Sequence, residues 1–375
     1  MSEPLSRIPA GMRYYCGPEA RLRRAIETAV MSIFEGWSYE EITTPTIDYY
    51  SLFEHGMGPA QAHRAFRFSD GDGRLLAVRP DVTSLVARAA ATLFAQRERP
   101  LRLCYAAPVF RQQPESHTDW RRESSQIGCE LIGANSSVAD LEVLAIVCEV
   151  LQQLGLDRGC SITLSDIDVF NGIAEELKLD PESRDELRRL VDTRNTSDLE
   201  QFLAQYSDTE DSRSLARLTQ MPGKGEILND ARQSISNVRS RAALDRITRL
   251  WNVIESLQLT DHFEIDLGDV SRLDYYTGLT FKIYLEGAGR RIGSGGRYDG
   301  LTASFGKAEP AVGFVLELDA LTDILLARRE SNSPTKSEEK PTPIKGSDLA
   351  GLFRAALDGR ARGERIVIDS DEVTP

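Results

Sequence analysis

Apolar residues recur at helical spacing near the start of the chain. From residue 18 to residue 35 the apolar positions are three or four apart, or adjacent: Leu22, Ile26, Ala29, Val30 and Ile33. This pattern predicts an amphipathic helix. Pro18 suits its first turn and Gly36 suits its C-terminal cap.

A second amphipathic helix is predicted from about Val138 to Leu154. Ser137 opens it, and Asp140 follows three residues later, as in a capping box. Gly155 suits the end of this helix. Both helices are interpreted as structural.

Short runs rich in β-branched and aromatic residues predict a sheet. The first group comprises SYEEITTP, FRFSD followed after a Gly turn by RLLAVRP, LRLCYAAPVFR and IGCELIG. The second group comprises FEIDLG, LTFKIYL and AVGFVLEL. Between the two groups, about Asp168 to Leu259, the pattern indicates helices, with Asp180 and Pro181 as a cap and first-turn pair. The expected architecture is an antiparallel sheet, split by a helical insertion, in a domain that spans residues 1–328.

The composition changes after that domain. Residues 329–346 are dense in Ser, Pro, Lys, Glu and Thr with one large aliphatic residue, Ile344, and predict a flexible linker. A short apolar stripe around Leu352 and the run RIVID then predict one helix and one strand in residues 347–375. This pair is too small for an independent domain and is expected to dock onto something else.

Charge and cysteine content narrow the function classes. The chain has 45 basic and 58 acidic residues, a formal charge of −13, which argues against a polyphosphate partner such as tRNA. Its five cysteines form no CxxC pair and its four histidines are scattered, so neither a metal site nor a disulfide framework is expected. No apolar run has the length of a signal peptide or a membrane span, which indicates a cytoplasmic protein without membrane association.

The stretch LAVRPDVT places Asp81 and Thr83 just beyond a predicted strand. An acid and a hydroxyl two residues apart could bind an ammonium group. Alternatively, Asp81 caps the next helix and engages Arg88, while Thr83 supports the turn.

A longer stretch, PVFRQQPESHTDWRRESSQIGCELIG, carries Arg111 on one strand and Gln126 and Glu130 on the next. Residues four apart in a strand share a face, so the amide and the carboxylate should converge on one pocket, where a ligand cation could pair with the carboxylate. A structural salt bridge from Glu130 to Arg111 or Arg122 is the alternative.

The loop between those two strands holds further polar and aromatic side chains: His117, Trp120, Arg121 and Arg122. They could stack on a ligand or contact phosphate, or they could be solvated loop residues. Farther along, the four glycines of GSGGRYDGL would let the backbone approach a ligand or another strand closely, or form a tight β-turn against the sheet. Neither a Walker loop nor a GxGxxG fingerprint is present in this stretch.

Together these stretches resemble a known family. RPDVT, FR with QIGCE, LDYYTG, and GGRYDGL followed by AVGF occur in the order and approximate spacing of the histidyl-tRNA synthetase catalytic domain, over about Pro9 to Leu326. The resemblance implies an α+β fold of the class II aminoacyl-tRNA synthetase type, an antiparallel sheet flanked by helices, with a helical insertion at about 168–259. It also implies a homodimer formed through the first helix and GWSYEEITTPTID.

The resemblance also implies a set of binding residues. Asp81 and Thr83 match positions that hold the amino group of histidine, and Arg111 matches an arginine that grips the α-phosphate. The remaining positions around the ligand are Gln126, Glu130, Tyr275 and Tyr276.

The chain departs from the family where ATP would bind. Ser271 stands at the arginine of the family's RGLDYY, and Arg272 takes the glycine place. In the motif GFxxGxER, Glu317 replaces the glycine and Ala320 the arginine. No match to the family's anticodon-binding domain follows Leu326. ATP-dependent activation of an amino acid is therefore expected to be lost, and no catalytic residue is assigned.

This combination resembles the regulatory-subunit family of ATP phosphoribosyltransferases. The resemblance implies a non-catalytic homodimer that joins a short-form catalytic subunit in a hetero-oligomer, is required for its activity in the first step of histidine biosynthesis, and binds histidine in feedback regulation. No cofactor and no tRNA are expected. Two alternatives stay open: a truncated histidyl-tRNA synthetase-like enzyme that activates histidine with ATP, and an unrelated binding module on the same fold.

Overall fold

A computed structural model describes residues 6–113, 121–206, 210–218, 222–270, 275–332, 342–344 and 348–368. The chain divides into two compact units, Met1–Ile324 and Leu325–Pro375. The division falls within the last helix of the expected 1–328 domain, four residues before its predicted end.

The first unit is built on one large sheet and one small one. The strands of the large sheet, in chain order, are β1 (Glu40–Glu41), β5 (Leu101–Phe110), β6 (Glu123–Ile132), β7 (Cys160–Asp166), β8 (Phe263–Ile265), β9 (Leu279–Leu285), β10 (Gly293–Arg297) and β11 (Ala311–Glu317). Their spatial order is β1-β5-β6-β11-β10-β9-β7-β8. The small sheet contains β2 (Ile47–Tyr49), β3 (Arg67–Ser69) and β4 (Leu75–Val78), in the order β2-β4-β3.

The predicted antiparallel sheet is confirmed through its centre, whereas each edge carries a parallel pair, β1 with β5 and β7 with β8. Parallel pairs need a long crossover, and the helical insertion between β7 and β8 supplies one of them. The sequence pattern did not indicate β7. The alternative that the glycines of GSGGR form a tight β-turn was wrong, because these residues form the interior strand β10.

Helices flank the large sheet and form the insertion. Outside the insertion they are α1 (Gly17–Gly36), α2 (Tyr50–Met57), α3 (Pro59–Ala62), α4 (Thr83–Ala91), α5 (Ser137–Gln153) and α12 (Leu318–Asn332). Within the insertion they are α6 (Ile167–Glu176), α7 (Pro181–Asp192), α8 (Thr196–Tyr206), α9 (Glu210–Leu218), α10 (Glu226–Ser234) and α11 (Val238–Ser256). Single 3-10 turns cover Thr260–His262 and Leu301–Phe305.

The first predicted helix is confirmed as α1, which buries its apolar stripe against the sheet. Phe34, for example, is fully buried and meets the ring of Phe314 on β11 edge to face, with centroids 5.8 Å apart. Burying such a side chain contributes about 2 to 3 kcal/mol, so packing rather than local propensity holds this helix in place.

The second predicted helix is confirmed as α5, but its predicted capping box is wrong. Ser136 is the N-cap, and no side chain caps the helix there. The Asp140 carboxylate instead accepts two hydrogen bonds from the guanidinium of Arg297 on β10, at 3.0 and 2.6 Å, and both residues are buried. The acid therefore ties α5 to the sheet.

The insertion is helical, as predicted, and ion pairs attach it to the sheet. Asp180 caps α7 by accepting from the backbone N–H of Ser183 at 2.9 Å, which confirms the predicted cap. From α11, Arg246 donates to both oxygens of Asp166, the last residue of β7, at 2.8 and 2.9 Å. Asp166 is 1% exposed, so this pair fixes the insertion against a buried carboxylate.

The second unit contains a strand–helix–strand arrangement. Strand β12 (Thr342–Ile344) pairs in parallel with β13 (Ile366–Ile368), and α13 (Leu349–Ala361) connects them. The linker predicted for 329–346 is therefore wrong in two places, since α12 continues to Asn332 and β12 lies within the range. Ile344, the aliphatic residue of that segment, is opposite Ile368 in the ladder. The other positions of the predicted linker, 333–341 and 345–347, lie outside the described residues.

The described residues also bear on the predictions about disulfides, metal sites and membrane spans. All five cysteines are unpaired thiols. Within the described ranges, no cluster of three metal-ligating side chains occurs. No helix in the described part of the chain is long and apolar enough to cross a membrane.

Candidate functional site

A cleft on one face of the large sheet collects all seven residues that the sequence indicated: Asp81, Thr83, Arg111, Gln126, Glu130, Tyr275 and Tyr276. They come from the start of α4, the end of β5, strand β6 and the segment before β9. The structure therefore brings all seven residues together in one cleft.

Strand β6 forms the floor of the cleft. Gln126 and Glu130 lie four residues apart on it and both face the cleft, as the alternation of a strand predicts. On the neighbouring strand β11, Glu317 is opposite Gln126 and Gly313 is opposite Glu130. The two positions therefore mark two ends of the cleft.

Glu130 is the most buried acid of the cleft, at 2% exposure, and three hydroxyl groups surround it. Oε1 accepts from Thr83 at 2.8 Å and from Tyr105 at 3.3 Å, and Oε2 accepts from Tyr298 at 2.5 Å. Burial outweighs these donors and raises the pKa of Glu130 to about 8. The alternative of a salt bridge to Arg111 or Arg122 was wrong, because the partners are hydroxyls.

Two glycines leave room for these side chains. A Cβ atom at Gly313 would lie 1.8 Å from Oε2 of Glu130, and one at Gly296 would lie 2.7 Å from the Tyr276 ring. Glycine is required at both positions because the strand backbones pass directly beneath the acid and the ring. Of these two, Gly296 belongs to GSGGRYDGL, and the close approach expected of that stretch occurs here within a strand.

Asp81 has a structural role as well as a place in the cleft. Its Oδ2 accepts from the backbone N–H of Ser84 at 3.0 Å and from the Ser84 hydroxyl at 2.9 Å, which caps the first turn of α4. The alternative role as a cap is therefore correct, but the expected partner is not, since Arg88 is ion-paired with Asp48. Capping and ligand binding are compatible, because Asp81 also lines the cleft.

Tyr275 and Tyr276 form an aromatic wall. Their ring centroids are 4.8 Å apart, and the Tyr275 ring lies 5.7 Å from that of Tyr298 in an edge-on arrangement. Such contacts favour a fixed geometry of the rings. Residues 271–274, which include Ser271 and Arg272, lie outside the described residues.

Arg111 and the loop after β5 agree only in part with the predicted ligand contacts. Arg111 lines the cleft, and its backbone N–H donates to the carbonyl of Arg122 at 2.8 Å. His117 and Trp120 lie outside the described residues. Arg121 was considered for phosphate contact. Its guanidinium instead forms an ion pair with Asp323 of α12 at 2.6 Å.

Glu317 stands at the end of the cleft where the resemblance places a glycine. Its Oε1 accepts a hydrogen bond from Nε2 of Gln126 at 3.0 Å. Ala320, at the position of the family's arginine, is 5% exposed. Its neighbour Asp319 accepts from the Tyr15 hydroxyl, from Arg23 at 2.7 Å and from the Ser125 N–H at 2.8 Å. Burial alone would raise the pKa of Asp319, but these contacts, that of Tyr15 foremost, keep it below its usual range.

Sequence reasoning missed several residues of the cleft: Met57, Gln61, Arg291, Ser294 and Tyr298. Tyr298 could have been predicted as a cleft residue. It directly follows Arg297, the last residue of the glycine-rich strand β10, and adjacent residues of an extended chain point to opposite faces. Arg297 binds Asp140 on one side, so Tyr298 was available to the other. Arg291 lies outside every quoted motif, and no local signal identified it.

The fold and the cleft define a class II synthetase-like domain with a polar cleft on its large sheet. The family model of histidyl-tRNA synthetases matches residues 11–321. A solved histidyl-tRNA synthetase from Nostoc shares the fold, with a TM-score of 0.77 at 17% identity, covering 99% of this chain and 88% of that one.

Other relatives carry a different name. An ATP phosphoribosyltransferase regulatory subunit from Moorella thermoacetica is 36% identical over 365 residues, covering 97% of this chain and 92% of the relative. One from Clostridium kluyveri is 32% identical, covering 89% and 85%. A Bacillus halodurans structure described as an ATP phosphoribosyltransferase regulatory subunit/histidyl-tRNA synthetase has a TM-score of 0.87 at 29% identity, covering 100% and 96%. The chain belongs to the histidyl-tRNA synthetase-like family that includes the ATP phosphoribosyltransferase regulatory subunits.

Proposed function

We propose that this protein is a non-catalytic regulatory subunit that activates a short-form ATP phosphoribosyltransferase catalytic subunit and binds histidine in the cleft. The names of the relatives from Moorella and Clostridium support the first part. The single observation that carries the non-catalytic assignment is the Glu317 carboxylate in the cleft.

At the Glu317 end, the side chains are unfavourable for ATP. A carboxylate adds repulsion to a triphosphate, and Ala320 supplies no donor to replace the guanidinium expected there. Losing one preorganised donor costs about 3 to 4 kcal/mol in a transition state. These changes support loss of adenylation chemistry.

At the other end, the side chains suit a small cationic group. Asp81, Thr83 and Glu130 provide acceptors, and Tyr275 and Tyr276 provide an aromatic wall. A ligand held here would regulate the assembly if the cleft bound it more tightly in one state than in the other, and coupling of about 1 to 3 kcal/mol is sufficient for such regulation.

The subunit is proposed to act as a homodimer within a hetero-oligomer. The resemblance places the dimer contacts on α1 and on residues 36–48, and a two-fold axis would make them symmetric. Light scattering of the purified chain should give the mass of a dimer. A monomer at micromolar concentration would contradict this part of the proposal.

Two assays test the function. Mixing the chain with a short catalytic subunit should raise phosphoribosyltransferase activity, and the chain alone should show no histidine-dependent exchange of pyrophosphate into ATP. Clear exchange by the chain alone would instead favour the truncated-synthetase alternative.

A substitution tests the placement of the ligand. Glu130→Ala should abolish histidine binding in calorimetry while the dimer stays folded, because the ligand's cation would lose its buried acceptor. Unchanged affinity would refute histidine binding at this position. Titrating the complex with histidine, with and without this substitution, would separate inhibition through the cleft from inhibition at the catalytic subunit.

A further inference from the structure

A buried hydrogen-bond network centred on Asp319 lies beside one end of the cleft. Asp319 belongs to the first turn of α12, directly after β11, and its side chain is fully buried. Its carboxylate accepts from the Tyr15 hydroxyl, from Nη1 of Arg23 on α1 at 2.7 Å, and from the backbone N–H of Ser125 on β6 at 2.8 Å. Three separate parts of the chain therefore meet at one carboxylate.

Arg23 closes this network on two sides. Its Nη2 donates to Oγ of Ser125 at 3.0 Å, so one guanidinium binds both Asp319 and β6. The same guanidinium lies over the ring of Tyr15, 3.8 Å from the ring centroid, in a favourable cation–π contact. Hydrogen-bond networks in a buried environment fix the groups that they join. We call Tyr15, Arg23 and Asp319 the clamp.

The clamp holds the point where the β6–β11 ladder ends. The last paired residues of that ladder are Gln126 and Glu317, and Nε2 of Gln126 donates to Oε1 of Glu317 at 3.0 Å. Ser125 directly precedes Gln126, and adjacent residues of a strand point to opposite faces. Ser125 therefore contacts the clamp while Gln126 lines the cleft. Contacts that fix the backbone at Ser125 also fix the direction of the Gln126 side chain.

We propose that Tyr15 and Arg23 are positioning residues for Gln126, whose amide binds an N–H group of an amino acid in the cleft. The hydrogen bond from Nε2 to Glu317 orients the amide, and Oε1 is the acceptor offered to the ligand. The inference rests on the proposed histidine binding and adds to it two residues that do not line the cleft.

A double-mutant cycle in calorimetry tests this role on the full-length protein. Tyr15→Phe should weaken histidine binding by about three- to tenfold, a usual size for coupling between residues of one network. Gln126→Ala should weaken it at least as much, because the acceptor itself is removed. Adding Tyr15→Phe to Gln126→Ala should cause no further loss, because Tyr15 acts through Gln126.

Tyr39→Phe is the matched control. It removes the hydroxyl of another buried tyrosine, which donates to Oε1 of Glu142 at 3.0 Å and does not line the cleft. Thermal unfolding should show that both tyrosine variants lose stability, whereas only Tyr15→Phe should lose affinity for histidine. Arg23→Lys keeps the charge but not the fork that joins Asp319 to Ser125. It should also weaken binding, and it provides a second cycle with Gln126→Ala if Tyr15→Phe does not fold.

The outcomes separate this inference from the proposed function. Independent losses that multiply in the double variant, or an equal loss of affinity in Tyr39→Phe, would mean that the clamp is merely structural, and the inference would be overturned. Gln126→Ala with the affinity of the wild type would also overturn it, while histidine binding would stay established. A wild type that does not bind histidine would contradict the proposed histidine binding and the inference together.

Discussion

Replacing Glu130 by glutamine should change how the stability of the protein depends on pH. The carboxyl is 2% exposed, and burial raises its pKa from the ordinary 4.5 to about 8. Between these values the folded state holds a proton that the unfolded state has released. The stability that Glu130 contributes is therefore fully present below pH 4.5 and is lost as the pH rises through 8.

The magnitude follows from the two pKa values. At pH 6 the folded carboxyl is almost fully protonated, and at pH 8 it is half ionised, whereas the unfolded carboxyl is ionised at both. One pKa unit corresponds to 1.36 kcal/mol, so the contribution of Glu130 falls by about 2 kcal/mol between pH 6 and pH 8. Glutamine has no proton to lose; its amide oxygen can accept from one of the Thr83 and Tyr298 hydroxyls, and its NH2 group can donate to the oxygen of the other.

Urea unfolding at pH 6 and pH 8 measures this effect. The free energy of unfolding of Glu130→Gln minus that of wild type should increase by about 2 kcal/mol from pH 6 to pH 8, because only the wild type loses stability over this range. Glu123→Gln, the same change at a half-buried position on the same strand, is the control and should give no comparable shift. A difference between Glu130→Gln and wild type that is equal at both pH values would mean that Glu130 is ionised in the folded protein, and the reasoning would be refuted.

Two other substitutions test the packing around the cleft. Gly313→Ala should cost about 1 to 3 kcal/mol in urea unfolding, because the new methyl group would overlap the carboxylate 1.8 Å away; Gly36→Ala, with no atom within 4 Å, should be tolerated. Arg297→Met should cost about 3 to 5 kcal/mol, because Asp140 would stay buried without its partner. Adding Asp140→Asn should recover part of that loss in thermal unfolding, and no recovery would mean that the pair is not the source of the cost.

Local patterns were sufficient for some parts of the site. Gln126 and Glu130 were placed on one face because the alternation of a strand depends only on the segment itself. The contact of Glu130 with Tyr298 could not be inferred in the same way. It depends on the register of β6, β11 and β10, and it joins residues 168 positions apart in the sequence.

One wrong prediction and one wrong alternative have the same physical origin. Asp140 has the spacing of a capping box, but its carboxylate accepts a hydrogen bond from the buried Arg297 of strand β10 instead of capping the helix. The glycines of GSGGR have the composition of a turn, yet they form an interior strand because side chains from neighbouring strands fill the space above them. In both cases a tertiary contact overrides a local preference.

The most direct test of the proposed function is phosphoribosyltransferase activity measured with a short catalytic subunit, with and without this chain. The proposal predicts low activity of the catalytic subunit alone, a marked rise on addition of the chain, and the same rise with Glu317→Gln, because that carboxylate performs no chemistry in the complex. Activity that does not change when the chain is added would contradict the proposal.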